Sequence, residues 1–163
     1  MSELIRLVYA SRAAFQPAPV QQGVEPSVAR ILMQSRRNNA HANIGGVLYF
    51  GDGHFFQALE GDRKAVNQTY QRITADPRHR DVTILSLKTV PARLFADWSM
   101  KYVPAEDAVR QFIQARDYQR FEPLRFQEEE AEALIELFQQ QGEAGGRAQK
   151  KRPAWSWWRR VFG

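Results

Sequence analysis

The chain has 163 residues, of which 25% are charged and 44% hydrophobic, a make-up that suits one soluble globular domain with a real core. It contains no cysteine, which removes disulfides, thiolate metal sites and a cysteine nucleophile, and its three histidines (His41, His54, His79) lack metal-ligand spacing. The net charge of +5 belongs to the C-terminus: six basic residues from Arg147 onward have no acid among them, which leaves residues 1–146 at −1 and indicates no basic nucleic-acid face on the body.

The N-terminus has no apolar leader and the chain no long hydrophobic run, so a cytoplasmic protein is expected. Leu4-Ile5-Arg6-Leu7-Val8-Tyr9-Ala10 reads as a β-strand with Ile5, Leu7 and Tyr9 on one face. A buried phenol there needs a hydrogen-bond partner. After a Pro- and Gln-rich loop over 16–24, Pro26 suits a first helical turn, and Val28, Ile31, Leu32 and Ser35 share a stripe. Asn favours helix ends, so this helix is expected to stop near Arg36-Arg37-Asn38-Asn39. The two amides either close it or present donors and acceptors to a ligand.

Gly46-Val47-Leu48-Tyr49-Phe50 and His54-Phe55-Phe56-Gln57-Ala58-Leu59-Glu60-Gly61 flank a tight Gly51-Asp52-Gly53 turn and predict a hairpin. Alternation puts Phe55, Gln57 and Leu59 on one face and Phe56 and Ala58 on the other. A buried Gln57 must satisfy two donors and an acceptor, or cost about 1–3 kcal/mol.

Asp62 is placed to cap a second helix running to about Ala75 with Val66, Tyr70 and Ile73 on its apolar stripe and Arg72 near its C-terminal end. A turn over Asp76-Pro77-Arg78-His79-Arg80 leads to a strand at 82–87, and a last strand is expected over 98–103. Arg78, His79 and Arg80 either hold an anion or form a solvated basic turn. The order strand, helix, strand, strand, helix, strand, strand predicts an α+β fold, the ferredoxin-like βαββαβ(β) sheet with one strand added. That topology sets the first and third strands side by side, and with them Tyr9 and Gln57.

Those separated motifs carry a resemblance to the BLUF domain, the flavin-binding blue-light sensor. They are Leu-Val-Tyr-Ala-Ser at 7–11, Arg-Asn-Asn at 37–39, Ile-Gly-Gly-Val-Leu-Tyr at 44–49, Phe-Gln-Ala-Leu-Glu-Gly at 56–61 and Trp-Ser-Met at 98–100. The resemblance covers roughly residues 3–103. It implies FAD between the first two helices, with Ile31 and Ile73 lining the slot and Asn38 and Asn39 at the ring edge. Arg72, Asp76 and His79 match positions that contact the ring or the ribityl and phosphate parts, and Arg72, Arg78 and His79 are candidates near the pyrophosphate. Tyr9 and Gln57 match the photoactive pair, and Trp98 and Met100 match the two residues whose place relative to the flavin is debated. The resemblance further implies that Tyr9 gives an electron and then a proton on excitation, and that Gln57 ends rotated or tautomerised. The cofactor emerges chemically unchanged, with a different hydrogen bond at its carbonyl and a red-shifted absorption.

Beyond Val103 the motifs stop. An acidic first turn at Glu106-Asp107 with Val109, Phe112 and Ile113, and a second helix with Ala131, Leu134, Ile135, Leu137 and Phe138, are expected to cover the sheet face away from the flavin. The first is expected to be core, the second either core or a partner surface, with Gly142 as its stop. The division expected is a flavin-binding domain over 1–103, a helical extension over 104–142 and a basic tail over 143–163. The tail, opened by Gly145-Gly146, interleaves Trp155, Trp157 and Trp158 with basic residues, which suits an anionic membrane surface, a partner groove, nucleic acid, packing back onto the domain or a neighbouring subunit, or a disordered terminus. At this length no effector domain is expected, and output is expected through association with something else. The expected function is a non-enzymatic photoreceptor that signals through protein contacts, as a homo-oligomer and with a downstream partner. The competing class is a small ferredoxin-like hydrolase or nucleic-acid-binding module without flavin; neither a nucleophile–base pair nor a basic aromatic sheet face is found for it.

Overall fold

The computed structural model describes residues 3–15, 26–96, 100–103 and 106–148. In chain order they form β1 (Leu4–Ala13), α1 (Pro26–Ala42), β2 (Gly45–Gly51), β3 (His54–Asp62), α2 (Arg63–Ala75), β4 (His79–Thr89), β5 (Lys101–Tyr102), α3 (Glu106–Gln114), a 3-10 turn (Pro123–Arg125) and α4 (Glu128–Ala148). The strands line up as β4-β1-β3-β2-β5, every pair antiparallel except β2 with β5. Each helical crossover skips one strand: β1–α1–β2 straddles β3, and β3–α2–β4 straddles β1. This is the expected ferredoxin-like α+β sheet with one strand added.

The two central strands are buried on both faces, which is why β1 and β3 carry near-continuous apolar runs. Their period of two then sorts side chains between two cores. Ile5, Leu7, Tyr9, Leu48, Phe55 and Leu59 face α1 and α2, where Val28, Leu32 and Val66 close over them. Val8, Val47, Tyr49, Phe56 and Ala58 face the C-terminal helices. There Val109, Phe112 and Ile113 of α3 meet Ala131, Leu134, Ile135 and Phe138 of α4. Both C-terminal helices are core, which resolves the open question about the second.

The β2–β3 turn needs left-handed backbone at both central residues. Asp52 (φ 49°) and Gly53 (φ 73°) supply it, matching the right-handed twist of the arms. Gly46 serves close approach: a Cβ on it would lie 1.9 Å from the Ala58 carbonyl oxygen.

Several boundaries differ from expectation. Helix α1 runs past Asn38 and Asn39 to Ala42, and Asn43 ends it in the left-handed region (φ 55°). The Ile44 amide then reaches back to the Asn39 carbonyl at 2.9 Å. Asp62 precedes α2 but makes no side-chain capping bond, because it is also the last residue of β3. Gly142 and Gly145-Gly146 lie inside α4, so Gly142 does not stop that helix. The long apolar face of α4 carries it through a residue that costs about 1 kcal/mol relative to Ala. The expected strand over 98–103 is described only as Lys101–Tyr102. Trp98 and Ser99, the 16–24 loop and the tail from 149 lie outside the described residues. No helix among the described residues is long and apolar enough to cross a membrane.

Candidate functional site

Antiparallel pairing sets Tyr9 of β1 directly opposite Gln57 of β3. Both side chains are 1% exposed. The Tyr9 hydroxyl donates to the Gln57 amide oxygen, so the phenol has found the partner its burial demands. The other end of the amide, Nε2, donates to the Met100 sulfur at 3.1 Å. A thioether is a weak acceptor, and this bond is the softer of the two. Met100 is itself buried, and its backbone carbonyl accepts from Arg36 Nε of α1 at 2.8 Å. Burial drives the Tyr9 phenol far above its ordinary pKa, with Tyr70 and Asp76 adding to the effect. Tyr9 is therefore a neutral, proton-carrying donor throughout the physiological range.

A narrow cleft of about 80 Å³ opens over this pair between α1 and α2. Ligand clefts typically run from about 300 to 1,000 Å³, so α1 and α2 would have to part to admit a fused ring system. Its lining comes from Ile31, Gln34, Ser35, Asn38 and Asn39 of α1, Thr69, Arg72 and Ile73 of α2, Asp76, Arg78 and His79 of the following turn, and Tyr9, Gln57 and Leu59 of the sheet. Ile31, Leu59 and Ile73 make apolar walls, and the amides give directed polar groups. Asn39 is buried at the base of this wall, whereas Asn38 and Arg72 are exposed at the rim. Because α1 continues through the two asparagines, they are presented from a helix rather than spent on closing it.

Every residue expected at the flavin (Ile31, Asn38, Asn39, Gln57, Arg72, Ile73, Asp76, His79) lines this one cleft, with Tyr9. Met100 sits behind Gln57, in contact with its amide. Trp98 lies outside the described residues. Three lining residues had not been singled out: Gln34, Thr69 and Leu59. Helical spacing could have found the first two, since Gln34 follows Ile31 by three residues and Thr69 precedes Ile73 by four. Leu59 was already on the Gln57 face of β3.

The turn after α2 differs from a simple cationic patch. Arg78 is clamped onto Asp76: its Nε reaches both carboxylate oxygens, at 2.9 and 3.1 Å, and one Nη reaches Oδ2 at 2.6 Å. That same Nη donates to Gln34 Oε1 at 2.6 Å, tying the turn to α1 across the cleft mouth. The Arg78 hydrogen bonds hold the Asp76 carboxyl below its usual range. His79 is buried, shares a 2.8 Å hydrogen bond with the Ser11 hydroxyl through Nδ1, and is pushed down to about 4 by burial. With the cleft empty of any anion it is a neutral ring near pH 7. Arg80 is exposed on β4 and takes no part in the lining.

A sheet-and-helix sandwich with an apolar, amide-edged cleft above a buried phenol–amide pair has the make-up of a ligand-binding domain. Among the described residues no group of three or more His, Cys, Asp or Glu side chains could hold a metal. Residues 4–101 match the BLUF family model, described as sensors of blue-light using FAD, and the chain belongs to that family. FAD is accordingly the cofactor of its BLUF domain. Similar proteins include the blue light- and temperature-regulated antirepressor BluF of Escherichia coli (strain K12), 37% identical over 67 residues. They also include the photoactivated adenylate cyclase subunit beta of Euglena gracilis, 36% identical over 74 residues. These matches take in 41% and 45% of this chain but only 17% and 9% of the relatives. Among solved structures, the photo-activated state of BlsA is similar at 28% identity and a TM-score of 0.73, over 83% of this chain and 94% of that one. The dark state of BlrB is similar at 34% identity and a TM-score of 0.60, over 71% and 82%. The hydrolase or nucleic-acid alternative is not favoured.

Proposed function

We propose that Tyr9 and Gln57 are the switchable hydrogen-bond pair of this blue-light sensor, and that its output is a change in contacts with another protein. The observation that carries this reading is the buried Gln57 amide, bonded at one end to Tyr9 and at the other to Met100. FAD bound in the cleft supplies the light absorption and the one-electron chemistry. The chain's own residues do the rest. Ile31, Leu59 and Ile73 would pack the ring, Asn38 and Asn39 would fix its edge, and Arg72 at the rim would face the phosphates. Asp76 and Arg78, locked to each other, would shape the mouth, and His79 would offer a neutral ring rather than a charge.

Tyr9 holds its proton on the hydroxyl oxygen and points it at the Gln57 carbonyl. The two ends of a carboxamide are nearly the same size, so a half-turn of Gln57 exchanges acceptor for donor with little change in packing. After that exchange Tyr9 no longer has the Gln57 oxygen to donate to, and Met100 no longer receives the amide hydrogens. The dark arrangement is therefore held by two bonds, one of them weak. A switch of this kind needs only a modest energy gap between its states. Met100 begins the segment that enters β5, which makes that edge strand the element through which the change would travel.

The chain is read as non-catalytic by itself and cytoplasmic, associating with a second copy and a downstream protein. The antirepressor and the cyclase among its relatives support a reading in which the light signal passes from this domain to another protein or domain. The basic, Trp-rich tail is read as a further contact, on a membrane surface or a partner. The test is a light-minus-dark absorption spectrum of the purified protein, followed by sizing in both conditions. A yellow protein with a small reversible red shift is expected, and Gln57→Leu should keep the colour and lose the shift. A wild-type protein without the shift, or a Gln57→Leu protein that shifts normally, would refute the assignment.

A further inference from the structure

His79 opens β4 opposite Ala13 of β1, and Ser11 lies between Ala13 and Tyr9, both of which face α1 and α2. The His79 ring is held on three sides. Phe55, paired with Ser11 across β1 and β3, meets it with centroids 4.6 Å apart, and Tyr9 meets it edge-on at 6.3 Å. On the third side lies the Ser11 hydroxyl, 2.8 Å from Nδ1. Ser11 is 0% exposed, and the His79 ring is the one hydrogen-bond partner of its hydroxyl among the described residues.

This fixes where the hydrogens go. A hydroxyl has one hydrogen to give, and a neutral imidazole has one nitrogen that gives and one that takes. If Nδ1 carried the ring hydrogen, it would donate to Ser11 and strand the buried hydroxyl hydrogen, which pays the full cost of desolvation for no bond. Ser11 therefore donates, Nδ1 accepts, and the ring carries its hydrogen on Nε2. Arg6 Nε is the only fully buried side-chain nitrogen or oxygen left unpaired among the described residues, so Nε2 is open rather than stranded. His79 lines the cleft and Ser11 does not.

We propose that Ser11 is a positioning residue of the cofactor site: it sets the His79 tautomer and ring plane so that Nε2 presents a hydrogen-bond donor to an oxygen of the bound flavin nucleotide. This rests on the reading of His79 as part of the FAD-binding wall. Ser11 acts only through that ring. Without its hydroxyl, Nδ1 has no donor, the fold no longer distinguishes the two tautomers, and Nε2 offers a hydrogen only part of the time.

The test begins with the full chain freed of FAD. Nitrogen-15 NMR at pH 7, with the His79 signals assigned by their absence from His79→Phe, should show Nε2 protonated and Nδ1 bare. A wild-type ring protonated on Nδ1 would overturn the proposal, whether or not any variant folds. Titration with FAD, followed by quenching of flavin fluorescence, then gives affinities. Ser11→Ala should bind FAD about three- to tenfold more weakly, the scale of one net hydrogen bond, and should cause no further loss in a His79→Phe chain. Unchanged affinity in Ser11→Ala, or an equal loss in both backgrounds, would make Ser11 merely structural and overturn the proposal. A His79→Phe chain that binds FAD as tightly as the wild type would instead remove His79 from the site, and the reading beneath the proposal would fail.

Discussion

Removing one member of the Tyr9–Gln57 pair should cost more than removing both. Both side chains are buried, so Gln57→Leu leaves the Tyr9 hydroxyl without its acceptor, and Tyr9→Phe leaves the Gln57 oxygen without its donor. A buried polar group stranded in this way costs about 1–3 kcal/mol, whereas replacing both partners by apolar groups of similar shape is nearly neutral for the bond itself. The double variant should thus be more stable than the sum of the two single losses predicts, by about 2–6 kcal/mol. Each variant also loses something the cycle cancels: Gln57→Leu gives up the Met100 contact in both the single and the double background. Urea unfolding of the four proteins, stripped of flavin so that the cofactor cannot stand in for a missing partner, measures the coupling. Additive losses would show that the phenol and the amide are not bonded, and the switching argument would lose its starting state.

Three further outcomes are expected. His79 is neutral in the fold because burial lowers its pKa from 6.5 to about 4. The unfolded chain therefore binds the proton first as pH falls, and the stability contributed is complete above the unfolded value and lost on the way down to about 4. Between about pH 7 and pH 5 the loss is at most about 2 kcal/mol and nearer half that with the cleft open to water, and His79→Gln should flatten the slope in urea titrations. Gly46→Ala must displace β2 from β3, because its new carbon would meet the Ala58 carbonyl oxygen at 1.9 Å and the Met100 methyl at 3.2 Å. A Tm drop accompanied by an altered light-minus-dark spectrum is expected, and a wild-type-like Tm would refute the close approach. Phe138→Ala should cost about 3–5 kcal/mol by thermal or urea unfolding, because the ring is 0% exposed in the second core. A loss under about 1 kcal/mol would detach α4 from the domain.

Local chemistry wrote most of this architecture directly into the residue order. Alternation along 54–61 assigned Phe55, Gln57 and Leu59 to one face and Phe56 and Ala58 to the other, and the order of elements set β1 beside β3. The Gly51-Asp52-Gly53 turn fixed the register of the hairpin. The residues named for the flavin, most of them carried over from the family motifs rather than read from periodicity, all line one cleft. What local pattern could not carry was any outcome settled by a distant partner. Asn38 and Asn39 look like a helix end, yet α1 continues because Asn43 takes the left-handed position and the Asn39 carbonyl is met by Ile44. Asp62 looks like a cap, but its place at the end of β3 governs it. Arg78 and His79 read as two cations, and only the fold showed one neutralised by Asp76 and the other discharged by burial. Arg6 bonds both Glu60 of β3 and, 126 positions away, Glu132 of α4, and no periodicity reports such a contact. Secondary structure and facing follow from short-range sterics and hydrophobic period, which the sequence states outright. Charge state, bond partner and buried connection depend on which groups meet across the sheet, and that is decided only when the chain closes on itself.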